Sequence, residues 1–535
     1  METLYLSSES QGWINRDTSL TFILGSTVVA LAICTVAFYQ RLPAEDPNEP
    51  PLIPYTIPWL GSALPFSRDF DSFIQWVRKT MPPDVPYSLY LGGRTMYLVT
   101  SPRLYAKVIR ISKTMSFDLL ERDIFQKIFE MPKKDLEQYC IGMHGSNPPL
   151  GMSKEEVEEI EMATKFAGQF KENWFNQTEG LDVLSQRFSV EWEKHVDRAV
   201  GATGEAAVSL RTLMEHHFFW AATSVHFGSH FEELAPDAAE LFWKFEEGFL
   251  KLFQDTPKWM LRGAIRARDK LMTAMETWLI QAMKNAPQLA DNEIWDEWWG
   301  GRILWQRVKM LTSRDFSLRA KAIHQFGMLW GLNANTPPVI SWMLIYILRN
   351  PSLLPRLRKE VETAIFVEPE LSIDWPTLMK LPLLLSVYQE TLRLAVSNMT
   401  ARVVTEDTDV DGYIFKKGRM MIAPSRALHL SPVFDHPSHP MTEFWGERFL
   451  VGESEKLKMM NSWRPFAGGI TYCPGRYIAA AEIYSAIGIL ILKFDMRLEE
   501  PDGLIQHSPG RAGTGAVRPD RDGRIFMKRR YLGKI

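Results

Sequence analysis

The sequence predicts a mainly α-helical fold with a small share of short strands, preceded by one membrane-spanning helix. Three observations carry this. Leu20–Tyr39 reads LTFILGSTVVALAICTVAFY, twenty residues without a charge, which is the length of a helix that crosses a bilayer. From about residue 115 to 320 the chain reads as a series of helices. Strand patterns are confined to a hairpin near residue 90, to stretches beyond residue 400 and to the last forty residues.

Composition sets the limits. Over 535 residues, 46% hydrophobic and 12% aromatic content describe a packed globular protein and exclude a disordered one. A formal charge of −3 leaves no basic excess to neutralise phosphates, so nucleic acid is not an expected partner. Length alone suggests two or three domains. The cysteines are Cys34, Cys140 and Cys473, too few for a disulfide framework, so the bulk of the chain is expected in a reducing compartment. The sequons at Asn176 and Asn398 are then expected to stay unmodified.

In chain order, residues 1–17 form a short N-terminal segment and 18–39 the anchor. The anchor lacks the basic leader of a cleaved signal peptide and is longer than its apolar core; Arg16 and Arg41 flank it evenly and give no orientation. Residues 40–61 hold six prolines between 43 and 58, a stiff extended spacer. Tyr87–Leu91 and Thr95–Val99 around Gly92-Gly93 predict a hairpin, and Pro102–Arg110 a helix. Ser153 with Glu156 fits a capping box ahead of an amphipathic run through Trp174. His216 and His217 have no ligand spacing around them, so buried or half-buried histidines are expected rather than a metal. The tryptophans of Trp295–Trp305 suit either the core or a membrane surface.

An apolar helix over Ala322–Leu348 contains Asn333-Ala334-Asn335-Thr336-Pro337-Pro338. Prolines there release helix carbonyls, so a kink is expected just before them, either a packing feature or the lining of a cavity beside a cofactor. Leu381–Leu394 carries Glu390 and Arg393 at i,i+3 on one face of an apolar helix, where they can pair. Strands follow at Ala401–Val404 and Tyr413–Ile422. The stretch from Trp463 to Arg476, WRPFAGGITYCPGR, holds Cys473 in a turn of glycines and prolines directly before the helix Ile478–Phe494. Such a cysteine is either a buried structural thiol or an axial ligand for haem iron. The glycines of Gly510–Gly515 follow no predicted strand and open no helix, so they are given no phosphate-binding role.

Together these motifs resemble the cytochrome P-450 superfamily of haem-thiolate monooxygenases. Phe466, Gly469, Cys473 and Gly475 fit its F-x-x-G-x-x-x-C-x-G loop, and Glu390 with Arg393 its E-x-x-R helix. Arg448, with Gly446 where the family's P-E-R-F has proline, completes a Glu–Arg–Arg cluster. The anchor and proline hinge resemble the microsomal members. The resemblance implies one α-rich unit with a small β-rich lobe over residues 62–535, haem held by Cys473, and O2 and an NADPH-dependent reductase as partners. It further implies a lipophilic substrate and an endoplasmic-reticulum membrane with the catalytic part in the cytosol. Thr471 stands where a basic residue commonly meets a haem propionate, and Arg402 matches another propionate-binding arginine. The family's Trp-x-x-x-Arg helix has no evident counterpart. Ala334 and Asn335 replace the acid and first alcohol of the family's A-G-x-D/E-T-T, leaving Asn335 and Thr336 as the candidate catalytic residues that order water for proton delivery. This N-T-x-P stretch is similar to the branch of sterol 7α-hydroxylase and prostacyclin synthase, and the Cys-Pro-Gly-Arg ending to fungal members, which places the expected substrate among sterols, terpenoids or other natural products of secondary metabolism. A reductase-independent isomerase or lyase acting on a peroxide or epoxide, and a non-catalytic membrane-bound binding protein of the same fold, are the alternatives.

Overall fold

The structure is a computed structural model that describes residues 24–33, 46–55, 57, 60–141, 153, 155–156, 178–290, 293–366, 371–499, 505–508 and 511–530. Its centre is helical. Thr178–Val200, Phe219–Phe227, Arg262–Asn285, Leu318–Asn333 and Arg476–Lys493 pack on one another. Arg476–Lys493 is apolar nearly all round, and its residues from Ala480 to Leu492 are buried, as expected of a helix enclosed by others. The tryptophans that suited either core or membrane lie against this core. Trp299 is 1% exposed, and its indole donates to the Ala286 carbonyl; the Trp295 indole donates to Val225.

The strands form a smaller lobe. A six-stranded sheet runs Tyr87–Leu91, Arg94–Leu98, Met420–Pro424, Val396–Val404 and Thr514–Ala516, with Met115–Ser116 also paired to Val396–Val404. The predicted hairpin is present: Leu91 faces Arg94 across Gly92 (φ 52°) and Gly93 (φ 94°), the left-handed pair that a two-residue turn requires. Val396–Val404 starts directly where the helix Pro382–Ala395 ends, so the Glu390 helix and the sheet share one frame. Thr514–Ala516, a piece of the C-terminal tail, pairs with Val396–Asn398. A three-stranded sheet joins Phe494–Glu499, Arg524–Arg529 and Glu205–Ser209.

The predicted long helix is two helices. Leu318–Asn333 stops, Ala334 and Asn335 form a turn, and Thr336–Leu348 begins with Pro337 and Pro338 in its first turn. Proline is tolerated there because the first amides of a helix have no partner. The capping box is also present: Ser153 N donates to Glu156 Oε2 (2.7 Å), and Glu156 N to Ser153 Oγ (3.2 Å). The amphipathic run after it lies outside the described residues, as does Asn176. His216 is exposed and His217 half-buried. Burial pushes His217 down to about 4, and no metal-binding cluster exists among the described residues.

The predicted transmembrane helix needs a correction of scope. Of its span only residues 24–33 are described; they are helical, with Leu24, Val28 and Ile33 exposed. Among the described residues no helix is long and apolar enough to cross a membrane. The remaining anchor positions and the start of the proline segment lie outside the described residues.

Candidate functional site

The cysteine loop is held by contacts that its sequence dictates. Cys473 N donates to the Phe466 carbonyl (3.1 Å), closing the loop on itself. Gly469 has φ 68°, and a Cβ there would sit 2.6 Å from the Ile109 carbonyl oxygen, so only glycine allows this approach. A Cβ on Gly468 would meet Tyr105 Oη at 2.9 Å. Ala467 takes φ 58° without being glycine, a strained position of the kind that clusters at functional sites. Gly475 has an ordinary φ and opens the helix Arg476–Lys493. Burial pushes the Cys473 thiol up, and the backbone amides of Gly475 and Arg476 and the Arg476 charge pull it down without overcoming burial. The N-terminal amides act as expected, but desolvation is the larger effect for a bare thiol. A cation at the sulfur reverses that balance.

Behind the loop stands a buried ion cluster. Glu390, Arg393 and Arg448 are 0%, 0% and 1% exposed. Arg393 Nε and Nη2 each lie 2.7 Å from a Glu390 oxygen, and Arg448 Nε lies 2.8 Å from Glu390 Oε1. The other guanidinium donors reach carbonyls of the irregular stretch ahead of the loop: Arg393 to His429 and Met441, Arg448 to Phe434, His439, Pro440 and Glu443. One carboxylate and two guanidiniums thus satisfy backbone that no helix or sheet pairs. Gly446, the departure from P-E-R-F, packs where a Cβ would press on Leu353 and Val387 at 3.1–3.2 Å.

Three further residues brace the loop and were not singled out in the sequence. The Trp463 indole donates to the Gln389 carbonyl (3.0 Å), Arg464 N donates to His429 Nε2 (2.9 Å), and Asn398 Nδ2 donates to the Pro465 carbonyl (2.6 Å). Asn398 read as a sequon; the fold uses its amide to tie the sheet to the loop. Only the fold brings these partners together.

Arg402 is 3% exposed and reaches the loop. Its Nη2 donates to Thr471 Oγ1 and lies 3.4 Å from the Gly468 carbonyl. Its hydrogen-bond partners are all neutral, and burial pushes its pKa down against the pull of Tyr105 and Asp118 nearby. A buried guanidinium with only neutral partners fits an anionic group that the chain itself does not supply. Thr471, in the place of the family's basic residue, is thus contacted by Arg402. On the broken helix, Gly327 has no atom within 4 Å of a built Cβ, and Gly331 is exposed. Cysteine, cation and open glycine face fit a haem.

At the break, Asn335 Oδ1 accepts from Ala516 N (3.0 Å), and Thr336 is buried. Asn333 is fully buried and donates to Thr223 Oγ1 (3.3 Å) and the Leu329 carbonyl (3.2 Å). A cavity of about 580 Å³ lies alongside, with Trp243, Phe249 and Met399 as apolar lining and Glu246, Arg511 and Arg518 as charged lining. It reaches Pro337 and Pro338, but Cys473, Asn335 and Thr336 do not line it. The candidate residues Cys473, Asn335 and Thr336 are therefore placed by the loop and the break, not by this cavity.

A cysteine in a glycine turn, braced in this way by a buried Glu–Arg–Arg cluster, defines the class of cysteine-ligated haem proteins. Comparison with known families bears this out: the profile described as Cytochrome P450 matches residues 170–521, and the chain belongs to that family. With the family come haem with a cysteine thiolate ligand and the reaction class of a monooxygenase. The chain is 27% identical to "Cytochrome P450 monooxygenase efuG" of Hormonema carpetanum over 94% of this chain and 95% of that protein. It is 25% identical to the 7-alpha-hydroxycholest-4-en-3-one 12-alpha-hydroxylase of Homo sapiens over 94% and 98%, in keeping with the likeness to the sterol hydroxylase branch. The solved structure of "Retinoic acid bound cyanobacterial CYP120A1" shares the fold, with a TM-score of 0.66 and 19% identity over 90% of this chain and all of that one.

Proposed function

We propose that the protein is a membrane-anchored monooxygenase that oxidises a lipophilic small molecule of secondary metabolism, a sterol, terpenoid or similar natural product, with O2 and electrons from an NADPH-dependent reductase. The observation that carries the haem site is Cys473 in a loop braced by Glu390, Arg393 and Arg448. Haem bound there supplies the activation of O2. Cys473 would offer the thiolate; Phe466, Gly468 and Gly469 shape its loop; Arg402, with Thr471 beside it, would hold a propionate. Asn335 and Thr336 order water at the break, where Ala334 provides no acid. The fungal relatives named as monooxygenases support the metabolic setting.

The organisation we propose is residues 1–17 as a short lead, 18–39 as a single-pass anchor in the endoplasmic reticulum, 40–61 as linker and 62–535 as the cytosolic catalytic domain. The support for the anchor is the uncharged run itself.

The test is Cys473→Ala in the full chain co-expressed with a reductase. The wild type should give the reduced-CO band of thiolate ligation and NADPH-dependent products from host lipophiles, and C473A should lose both; an unchanged spectrum removes Cys473 from the site. One observation favours a second reading. With Ala334 at the acid position the chain lacks the usual proton donor, which suits a reductase-independent rearrangement of a peroxide or epoxide. Turnover of such a substrate without NADPH or reductase would select it.

A further inference from the structure

In a continuous helix the carbonyl of residue 334 accepts from the amide of residue 338. Here residue 338 is proline, which has no N–H, so Ala334 O is left without its helical donor. The structure supplies one from far away: Arg511 Nη1 donates to Ala334 O, across a separation of 177 residues. The same Nη1 lies 3.0 Å from the Ala516 carbonyl, and Arg511 Nε lies 2.9 Å from Glu246 Oε1. Glu246 in turn takes Arg518 Nη2 at 2.6 Å. Arg511 is 7% and Glu246 5% exposed. The guanidinium therefore ties three elements: the helix Ala238–Glu246, the helix break and the tail strand Thr514–Ala516.

The tail strand makes a second contact with the break. Ala516 N donates to Asn335 Oδ1, and the backbone comes so close that a Cβ on Gly515 would sit 2.0 Å from that oxygen. Glycine at 515 thus lets Asn335 keep this contact with the strand. Because Oδ1 accepts from the strand, the remaining polar part of Asn335 is its NH2, a donor with no proton to release at ordinary pH. The glycines of Gly510–Gly515, which had no assigned role in the sequence, belong to this strap.

We propose that Arg511 is a positioning residue for the oxygen side of the site: it takes up the carbonyl that Pro338 leaves without a donor and, with Gly515, fixes the helix break open with Asn335 presenting its NH2. The inference rests on the reading of the break as the face opposite Cys473. Lysine at 511 keeps the charge beside Glu246 but lacks the planar fork that reaches two elements at once. Alanine at 338 restores an amide that can close the helix onto Ala334 O.

The experiment is infrared spectroscopy of the CO stretch in the reduced, haem-loaded full-length protein, for wild type, R511K, P338A and R511K/P338A. The wild type should show one main band. R511K should retain the 450 nm absorbance of thiolate ligation and split the CO band into two, and Ala516 N should exchange with solvent roughly tenfold faster. P338A should populate the second band, and in that background R511K should add little. An R511K band identical to wild type, or equal added effects of R511K with and without P338A, overturns the proposal; so does P338A with an unaltered band should R511K fail to hold haem. Failure of the wild type to give the 450 nm band would instead remove the haem-thiolate reading on which the inference stands.

Discussion

The cysteine side of this site and the helix break use the same device in two ways. On both, buried arginines collect backbone carbonyls that regular structure does not pair. On the cysteine side, Arg393 and Arg448 gather the carbonyls of an irregular stretch around Glu390. At the break, Arg511 takes the carbonyl of Ala334, which Pro338 leaves without a helical donor. The difference lies in redundancy. Arg393 and Arg448 share one carboxylate and several carbonyls, so the loop has many ties. The break has fewer, the Arg511 guanidinium and the side-chain amides of Asn333 and Asn335. This teaches that the support of the cysteine is built rigidly here, while the helix break rests on fewer, replaceable contacts.

The strongest way to break the comparison is Glu390→Gln. It leaves two buried guanidiniums with no carboxylate between them, a change that costs about 3–5 kcal/mol when a buried pair is broken. Most of the folded, haem-loaded protein should be lost, as read by the yield of the reduced-CO band against total protein. Recovery near wild type would mean that the carbonyl contacts suffice and that the cysteine side is no more rigid than the other.

A smaller effect is expected from Gly469→Ala. A side chain at φ 68° facing the Ile109 carbonyl carries strain of about 1–3 kcal/mol. The thermal midpoint should fall while the spectrum of the folded fraction stays that of a thiolate. A lost spectrum at an unchanged midpoint would show that the loop yields before the frame does.

Acid titration sharpens the comparison further, because each side holds one buried histidine. His429, which accepts from Arg464 N ahead of the cysteine loop, and His324, on the first half of the broken helix, are both pushed down to about 3, chiefly by burial. In the unfolded chain they bind protons near 6.5. The unfolded state then holds more protons, so stability falls as pH drops below about 6.5 and continues to fall toward 3. The slope is about 1.4 kcal/mol per pH unit for each histidine. Denaturant unfolding at pH 7 and pH 5 reads it. His429→Gln should remove one histidine's share of the slope; an unchanged slope would show that His429 is not held neutral.

Much of the cysteine side was legible from the chain. Glu390 and Arg393 fall three apart on one helix, and Cys473 sits among glycines at fixed offsets, so local spacing places them. Arg448 follows from its own short motif. The kink at Pro337-Pro338 was legible for the same reason, since proline acts on its own helix. Arg402, Asn398, Trp463 and Arg511 were harder. Each acts through a partner distant in sequence, and an arginine or asparagine in a strand or loop looks alike whether it serves a carbonyl or solvent.

By itself the sequence determined what is local: helical periodicity, the hairpin glycines, the released carbonyl at Ala334 and the thiol in its turn. Only the tertiary structure decided who answers each unsatisfied group: Glu390 for two arginines, Arg402 for the position of Thr471, and the tail strand for the break. The reason is that a chain states its donors and acceptors residue by residue, whereas burial presses most of them to find a partner across space.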